Sequence, residues 1–319
     1  MTATLTEQDQ VGWGLSEITE AAALALRLEL DCHPKPGLVT PRSMGSHGDM
    51  DHACMAQGIA AIAPFFQDLA LAGRDGAGFA DLKPIGLAAE QGMMTATGGG
   101  NTHRGAIFSL GLLVAATAGL PRTNDAQGLS ESLGQAISDR WGADIHSTAS
   151  LRPVSHGTEV ARRYHAGGAR EQAARGFPVL AGHVVPGLLS GLAGGLRPHD
   201  AAVQALFTAM AALEDTNLLY RGGLSGLRFA QAAAAAFLTR GGVSRAGWQE
   251  DAARIDRADR IPEYIARAYA TAISGRPGPV VLALPEDMLY DATEAPPRAA
   301  PPRTARSALP RPPRAPSTS

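Results

Sequence analysis

The sequence predicts an all-α fold, a single multi-helical domain, on three observations. Apolar residues recur at helical spacing in successive windows, and glycine- and proline-rich stretches separate those windows. Alanine is abundant, while alternating β-branched runs are nearly absent. A chain of 319 residues with 45% hydrophobic content can bury a large core around such helices.

Each element has its own local signal. Ser16 is a cap for a helix over residues 16–30, with Ile18, Ala21, Ala25 and Leu28 along its inner face. Further helices are predicted at about 52–72, 84–96, 104–118, 127–140, 179–193, 200–220 and 225–239. Pro84 suits a first helical turn, and Gly98 to Gly100 close the helix that it opens. The chain changes character near Arg254: residues 261–273 read as a helix, SGRPGP as a turn, and 280–284 as a buried strand. Residues 296–319 hold eight prolines and five arginines with no acidic residue, a composition that cannot bury enough surface to fold. The expected organisation is a flexible N-terminus over 1–15, a helical domain over 16–250, a short α/β fragment over 255–291 and a disordered tail over 292–319.

Charge and cysteine usage narrow the function classes. A formal net charge of −2 gives no global basic field for nucleic acid or an anionic membrane, so an anionic substrate must be met locally. Cys32 and Cys54 form no CxxC pair and read as small buried hydrophobes in a reducing compartment. The start carries Glu7 and Asp9 instead of the basic and apolar regions of a signal peptide. The longest uncharged apolar run, 106–120, is shorter than the roughly 20 residues of a membrane span. The expected location is the cytoplasm.

Four polar clusters crowd ionisable side chains among glycines. In PKPGLVTPRSMGSHGDMD (34–51), Lys35 and Arg42 are cations, Asp49 and Asp51 offer oxygen ligands for a hard cation, and His47 offers acid–base chemistry; either aspartate also reads as a helix cap. In GLAAEQGMMTATGGGNTHRGAIFSLGLL (86–113), Glu90 falls on an apolar helix. The glycine loop with Gly99, Gly100, Asn101, His103 and Arg104 supplies backbone N–H groups at a helix start, an anion cradle by geometry and dipole. In HGTEVARRYHAGGAREQAARGFP (156–178), Arg170 and Arg175 can grip phosphates, Arg162 and Arg163 read as solvated charges, and His156 and His165 read as structural. In LEDTNLLYRGG (213–223), Glu214, Asp215 and Asn217 present oxygens near a helix end ahead of Arg221, either as a metal or triphosphate site or as a capping network.

Taken in order, PKPGLV, GSHGDMD, AEQGM, ATGGGNTHRGAIFSLGLL, GGAREQAARGFP and DTNLLYRGG resemble the motif series of the triphosphoribosyl-dephospho-CoA synthases. The resemblance implies an all-helical enzyme that joins the triphosphoribosyl part of ATP to 3'-dephospho-CoA and releases adenine. The product is the prosthetic-group precursor for the acyl carrier protein of malonate decarboxylase or citrate lyase, and a downstream carrier-protein prosthetic-group transferase follows. It further implies Mg²⁺ and triphosphate binding at Asp49, Asp51 and Asp215, with Lys35, Gly99, Gly100, Asn101, Arg104, Arg170, Asn217 and Arg221 as substrate ligands. Glu90, His47 and His103 are the acid–base candidates, in that order. No nucleic-acid or membrane partner is implied, and a homo-oligomer is left open.

The sequence departs from the family at Gly100, where a valine is usual, and at Tyr220, where a histidine is usual. A closing glycine-serine-rich SPGGSADLL-type segment is replaced after Trp248. Residues 255–289 instead resemble the last helix and strand of the first domain of acetolactate-synthase-type thiamine-diphosphate enzymes. The cofactor-binding glutamate and GDG motif of those enzymes have no counterpart, so no thiamine diphosphate chemistry is expected. The replaced end leaves a second reading open, a catalytically impaired or partner-binding homologue.

Overall fold

The computed structural model describes residues 12–45, 47, 49–147, 163, 164 and 166–257, with the backbone alone at 221, 222 and 254–257. The predicted helix over 261–273, strand over 280–284 and proline-rich tail lie outside the described residues, as do His156, Arg162 and His165. Among the described residues the secondary structure is helical, with isolated bridges at Gly12–Pro121 and Thr40–Ser43. The helices are α1 (Leu15–Asp31), α2 (His52–Arg74), α3 (Phe79–Ala96), α4 (Arg104–Thr117), α5 (Ala126–Ser147) and α6 (Gly168–Ala174). A π-turn (Leu180–Val184) then leads into α7 (Val185–Ala193), followed by α8 (Pro198–Ala212), α9 (Thr216–Thr239) and α10 (Trp248–Arg257).

The largest core forms around α2, which packs against α1, α3 and α4. Its Ile59, Ile62 and Phe66 meet Met93 of α3, Leu112 and Ala115 of α4, and Ile137 and Trp141 of α5. Fully burying each of the larger side chains contributes about 1.5–3 kcal/mol. The α2 and α4 backbones meet closely at Gly73, where a Cβ would overlap the backbone of Ala115. α2 is also long and apolar enough to cross a membrane, with mean hydropathy 1.3. Here it is the inner helix of the bundle. A second core joins α8, α9 and α10: Phe207 stacks on Phe237 with ring centroids 4.1 Å apart, and Val203, Trp248, Ala252 and Cys32 close around them.

Three boundaries differ from the sequence reading. α1 begins at Leu15 behind Gly14, so Ser16 lies inside the first turn. Its inward stripe is Ile18, Ala22, Leu26 and Leu30, whereas Ala21 and Ala25 face solvent and Leu28 is 61% exposed. Both stripes are apolar and both have helical spacing, so periodicity alone does not choose between them. α3 begins at Phe79, where Asp81 accepts the Gly78 N–H at 3.0 Å; Pro84 therefore sits within the helix. The predicted helix over 200–220 is broken between Leu213 and Asp215, and α9 then runs on to Thr239 through a kink at Gly223. Near the end, α10 crosses residue 250 and buries Trp248 and Ala252, which carries the helical body beyond that position.

Candidate active site

The α3–α4 turn gathers the densest set of predicted site residues. Glu90, on the last turns of α3, is 24% exposed and forms an ion pair with Arg104, the first residue of α4. Between them, Gly98 and Gly99 adopt φ values of +64° and +99°, a region that L side chains avoid, and this folds the chain back onto α3. His103 follows as the α4 N-cap and is only 6% exposed. Its backbone N–H donates to Met93 Sδ at 3.1 Å, and its ring Nδ1 lies 2.8 Å from Thr102 Oγ1. The other ring nitrogen, Nε2, is buried without a hydrogen-bond partner. Burial, and next the charge of Lys35, push this imidazole down to about 4, so it is neutral at pH 7. α2 makes room for the pair at Gly58, where a Cβ would overlap Thr102 Oγ1.

Part of the expected amide cradle is used inside the turn. The Gly99 N–H donates to Met94 O at 2.8 Å, Gly100 to Thr97 O at 3.3 Å and Thr102 to Gly100 O at 3.1 Å. Arg104 N–H is taken by Asn101 Oδ1 at 3.3 Å. The glycines thus let the turn close on itself, and these four amides are taken within it. Arg104, 55% exposed, adds a cation at the same turn.

Lys35, expected as a substrate ligand, is held inside the fold. Its ammonium is buried and donates to Glu29 O at 2.5 Å and Glu29 Oε1 at 2.6 Å. It ties the 33–51 loop to the end of α1. Further along that loop, His47 Nδ1 lies 3.8 Å from Asp49 Oδ1, and Asp49 is 73% exposed. Asp51 caps α2 by accepting the Cys54 N–H at 2.8 Å.

The third and fourth clusters meet each other and reach α4. Gly168 packs on Thr216, which brings the starts of α6 and α9 together. Arg170 of α6 lies over the Phe108 ring of α4, 5.8 Å from its centroid, one turn from Arg104. Arg175 ends α6 as its C-cap. Asp215 is the N-cap of α9 and accepts from the Asn217 and Leu218 amides at 2.6 and 3.0 Å. Asn217 is exposed, and the Arg221 side chain lies outside the description. Thr102, Met93 and Gly58 were missed in the sequence reading. The first two flank the expected cluster, but a lone glycine within a helix gave no usable signal.

These positions bear on a metal. Asp51 and Asp215 each give Oδ1 to a cap and keep Oδ2, while the described residues contain no group of three or more His, Cys, Asp or Glu placed to hold an ion. Each aspartate thus keeps one oxygen, a single ligand of the kind that hard cations such as Mg²⁺ take. Burial pushes the Cys32 thiol up to about 11, which leaves it a packing residue.

The helical scaffold thus gathers a carboxylate–guanidinium pair and a neutral buried imidazole at one turn, with Arg170 over Phe108 one turn further along α4. Residues 15–259 match the family model described as CitG, ATP:dephospho-CoA triphosphoribosyl transferase. The chain is 37% identical over 235 residues to the probable 2-(5''-triphosphoribosyl)-3'-dephosphocoenzyme-A synthase of Acinetobacter calcoaceticus, covering 74% of this chain and 80% of that one. It is 39% identical over 244 residues to the Pseudomonas putida protein with the same description, covering 74% and 85%. The corresponding synthase of Pectobacterium atrosepticum is 35% identical over 228 residues, covering 69% and 75%. No solved structure matches the chain. The chain belongs to the CitG family and is an enzyme of the triphosphoribosyl-dephospho-CoA synthase class.

Proposed function

We propose that the protein transfers the triphosphoribosyl group of ATP to the 2'-hydroxyl of 3'-dephospho-CoA and releases adenine. In this reaction the C1'–N9 bond of ATP breaks, a bond forms from the acceptor oxygen to C1', and the hydroxyl proton is balanced by protonation of the departing adenine. The observation that carries the reading is the meeting of Glu90, Arg104 and His103 at the α3–α4 turn, within the family-matched region.

Glu90 is the base for the acceptor hydroxyl: it is half-buried, and Arg104 orients it. Neutral His103 is a poor proton donor at pH 7 and acts as a hydrogen-bonding group through Nε2. His47, beside Asp49, is the candidate to protonate adenine. Positive charge developing on the ribose is met by carboxylates, as in glycoside chemistry. Mg²⁺ bound to the triphosphate would neutralise its charge, with the outer oxygens of Asp51 and Asp215 and the carboxylate of Asp49 as its protein contacts. Arg104, Arg170, Asn101, Asn217 and Arg221 complete the polar surround.

The product serves a carrier-protein prosthetic-group transferase of malonate or citrate metabolism, in the cytoplasm. The test is to incubate purified protein with Mg²⁺, ATP and dephospho-CoA. The expected result is a product heavier by one triphosphoribosyl unit and an equal amount of adenine. Release of ADP or pyrophosphate instead would overturn the reading.

A further inference from the structure

A second polar centre lies away from the α3–α4 turn. It is a cleft of about 390 Å³ walled by three segments remote in sequence: the end of α1 with the following loop, the start of α8, and the start of α10. Asp31, His33, Arg42, Arg197, His199 and Asp200 line it, and Trp248 and Gln249 close it. Nothing in the motif series that identifies the family points to these residues as a group.

The bonding inside the cleft decides what it can take. Asp200, 7% exposed, accepts from Arg197 Nε at 2.8 Å and Nη2 at 3.1 Å, and its Oδ1 lies 3.2 Å from His199 Nδ1. The backbone N–H of His33 donates to His199 Nε2 at 3.3 Å. A backbone nitrogen can only donate, so His199 carries its proton on Nδ1 and gives it to Asp200. Asp31 is taken by His52 Nε2 at 2.8 Å. The buried carboxylate of Asp200 is therefore matched by a guanidinium, and Asp31 shares one oxygen with His52. What the cleft still offers is donors: the Arg42 guanidinium, which has no partner among the described residues, the Nη1 side of Arg197 and the Gln249 amide. Trp248, 5% exposed and packed with Phe207 and Phe237, makes that wall part of the second core and holds it in place.

A cleft whose buried carboxylate is matched and whose guanidinium donors are open suits an anionic ligand, and planar guanidinium forks suit phosphate oxygens. Its volume is that of a small-molecule site and exceeds the need of a single ion. We propose that this cleft is a polyphosphate-binding site in which Arg42 and Arg197 hold the phosphate chain of a nucleotide substrate. The choice of ligand rests on the transferase reading, whose two substrates both carry such a chain: a triphosphate in ATP and a diphosphate in dephospho-CoA.

Calorimetric titration of the full chain with tripolyphosphate tests the site without reference to turnover. Arg42→Gln is the informative variant, since Arg197→Gln leaves the buried Asp200 unpaired and threatens the fold. The expected result is saturable binding that weakens by about 10-fold to 100-fold in R42Q, as for loss of a charge-assisted contact, and is unchanged in the surface control R122Q. Equal binding by wild type and R42Q, or no binding by either, would overturn the proposal. Steady-state kinetics then name the source: a raised KM for ATP alone assigns the triphosphate, and a raised KM for dephospho-CoA alone assigns the diphosphate. Unchanged KM for both refutes a substrate site. If the wild type binds tripolyphosphate through Arg42 yet releases no adenine, the site stands and the reading of the reaction fails.

Discussion

The α3–α4 turn and the α8–α10 cleft solve opposite problems with the same residue types. In the turn, residues close in sequence fold onto one another: four of the loop's amides are taken within it, Glu90 meets Arg104, and His103 is buried. In the cleft, residues 166 positions apart, His33 and His199, are joined by one hydrogen bond, and the polar groups remain open to a ligand. The difference teaches that a local motif announces a site readily but tends to satisfy itself, whereas a site assembled by tertiary packing keeps spare donors and leaves no motif.

The largest expected effect tests whether the turn is where bonds change. Glu90→Gln keeps the size of the side chain and removes the base, so adenine release should fall by ~10²-fold or more with the circular dichroism spectrum unchanged. Near-normal turnover would move the chemistry away from the turn.

Next is the dependence of the cleft on the core behind it. Trp248→Ala removes a side chain packed against Phe207 and Phe237 and should cost about 3–5 kcal/mol in urea unfolding, together with weaker tripolyphosphate binding. A stability loss below about 1 kcal/mol would show that α10 merely rests on the body.

A smaller effect separates the two imidazole environments. His103 is held neutral in the fold, down to about 4, whereas an unfolded histidine titrates near pH 6.5. Between these values the unfolded chain binds more protons, so stability is fully present above about pH 6.5 and is lost as pH falls toward 4. Between pH 7 and pH 5, wild type should lose on the order of 2 kcal/mol more than His103→Gln. Parallel losses in both proteins would mean that the ring is not sealed.

The fold class was legible because alanine-rich helical windows and glycine–proline breaks are local properties. The inner face of α1 was not, since two neighbouring stripes on that helix are equally apolar and only contact with α2 and α4 selects Ile18, Ala22, Leu26 and Leu30. Glu90, His103 and Arg104 stood out in the sequence because the turn that gathers them is contiguous. Asp51 and Asp215 illustrate a deeper ambiguity, because a capping aspartate and a metal-binding aspartate look alike in sequence, and both were found capping helices. The glycine loop is ambiguous for a related reason. Glycine frees the backbone to approach a phosphate, but equally to approach itself.

One consequence follows from the two glycines of α2. Gly58 receives Thr102 and His103 at one end of α4, and Gly73 receives the backbone of Ala115 at the other. They are notches about 22 Å apart on a single rod, by the rise of an α-helix. A helix seated in two notches can neither slide nor roll without colliding at one of them, so α2 works as a ruler that sets where His103 stands. Any adjustment that substrate demands of the turn must then be taken up by the short stretch through Gly98 and Gly99, where neither glycine has a neighbour within 4 Å of a Cβ position. Alanine at position 58 would fill the first notch and shift the register of the ruler, moving the imidazole although nothing in the ring itself had changed.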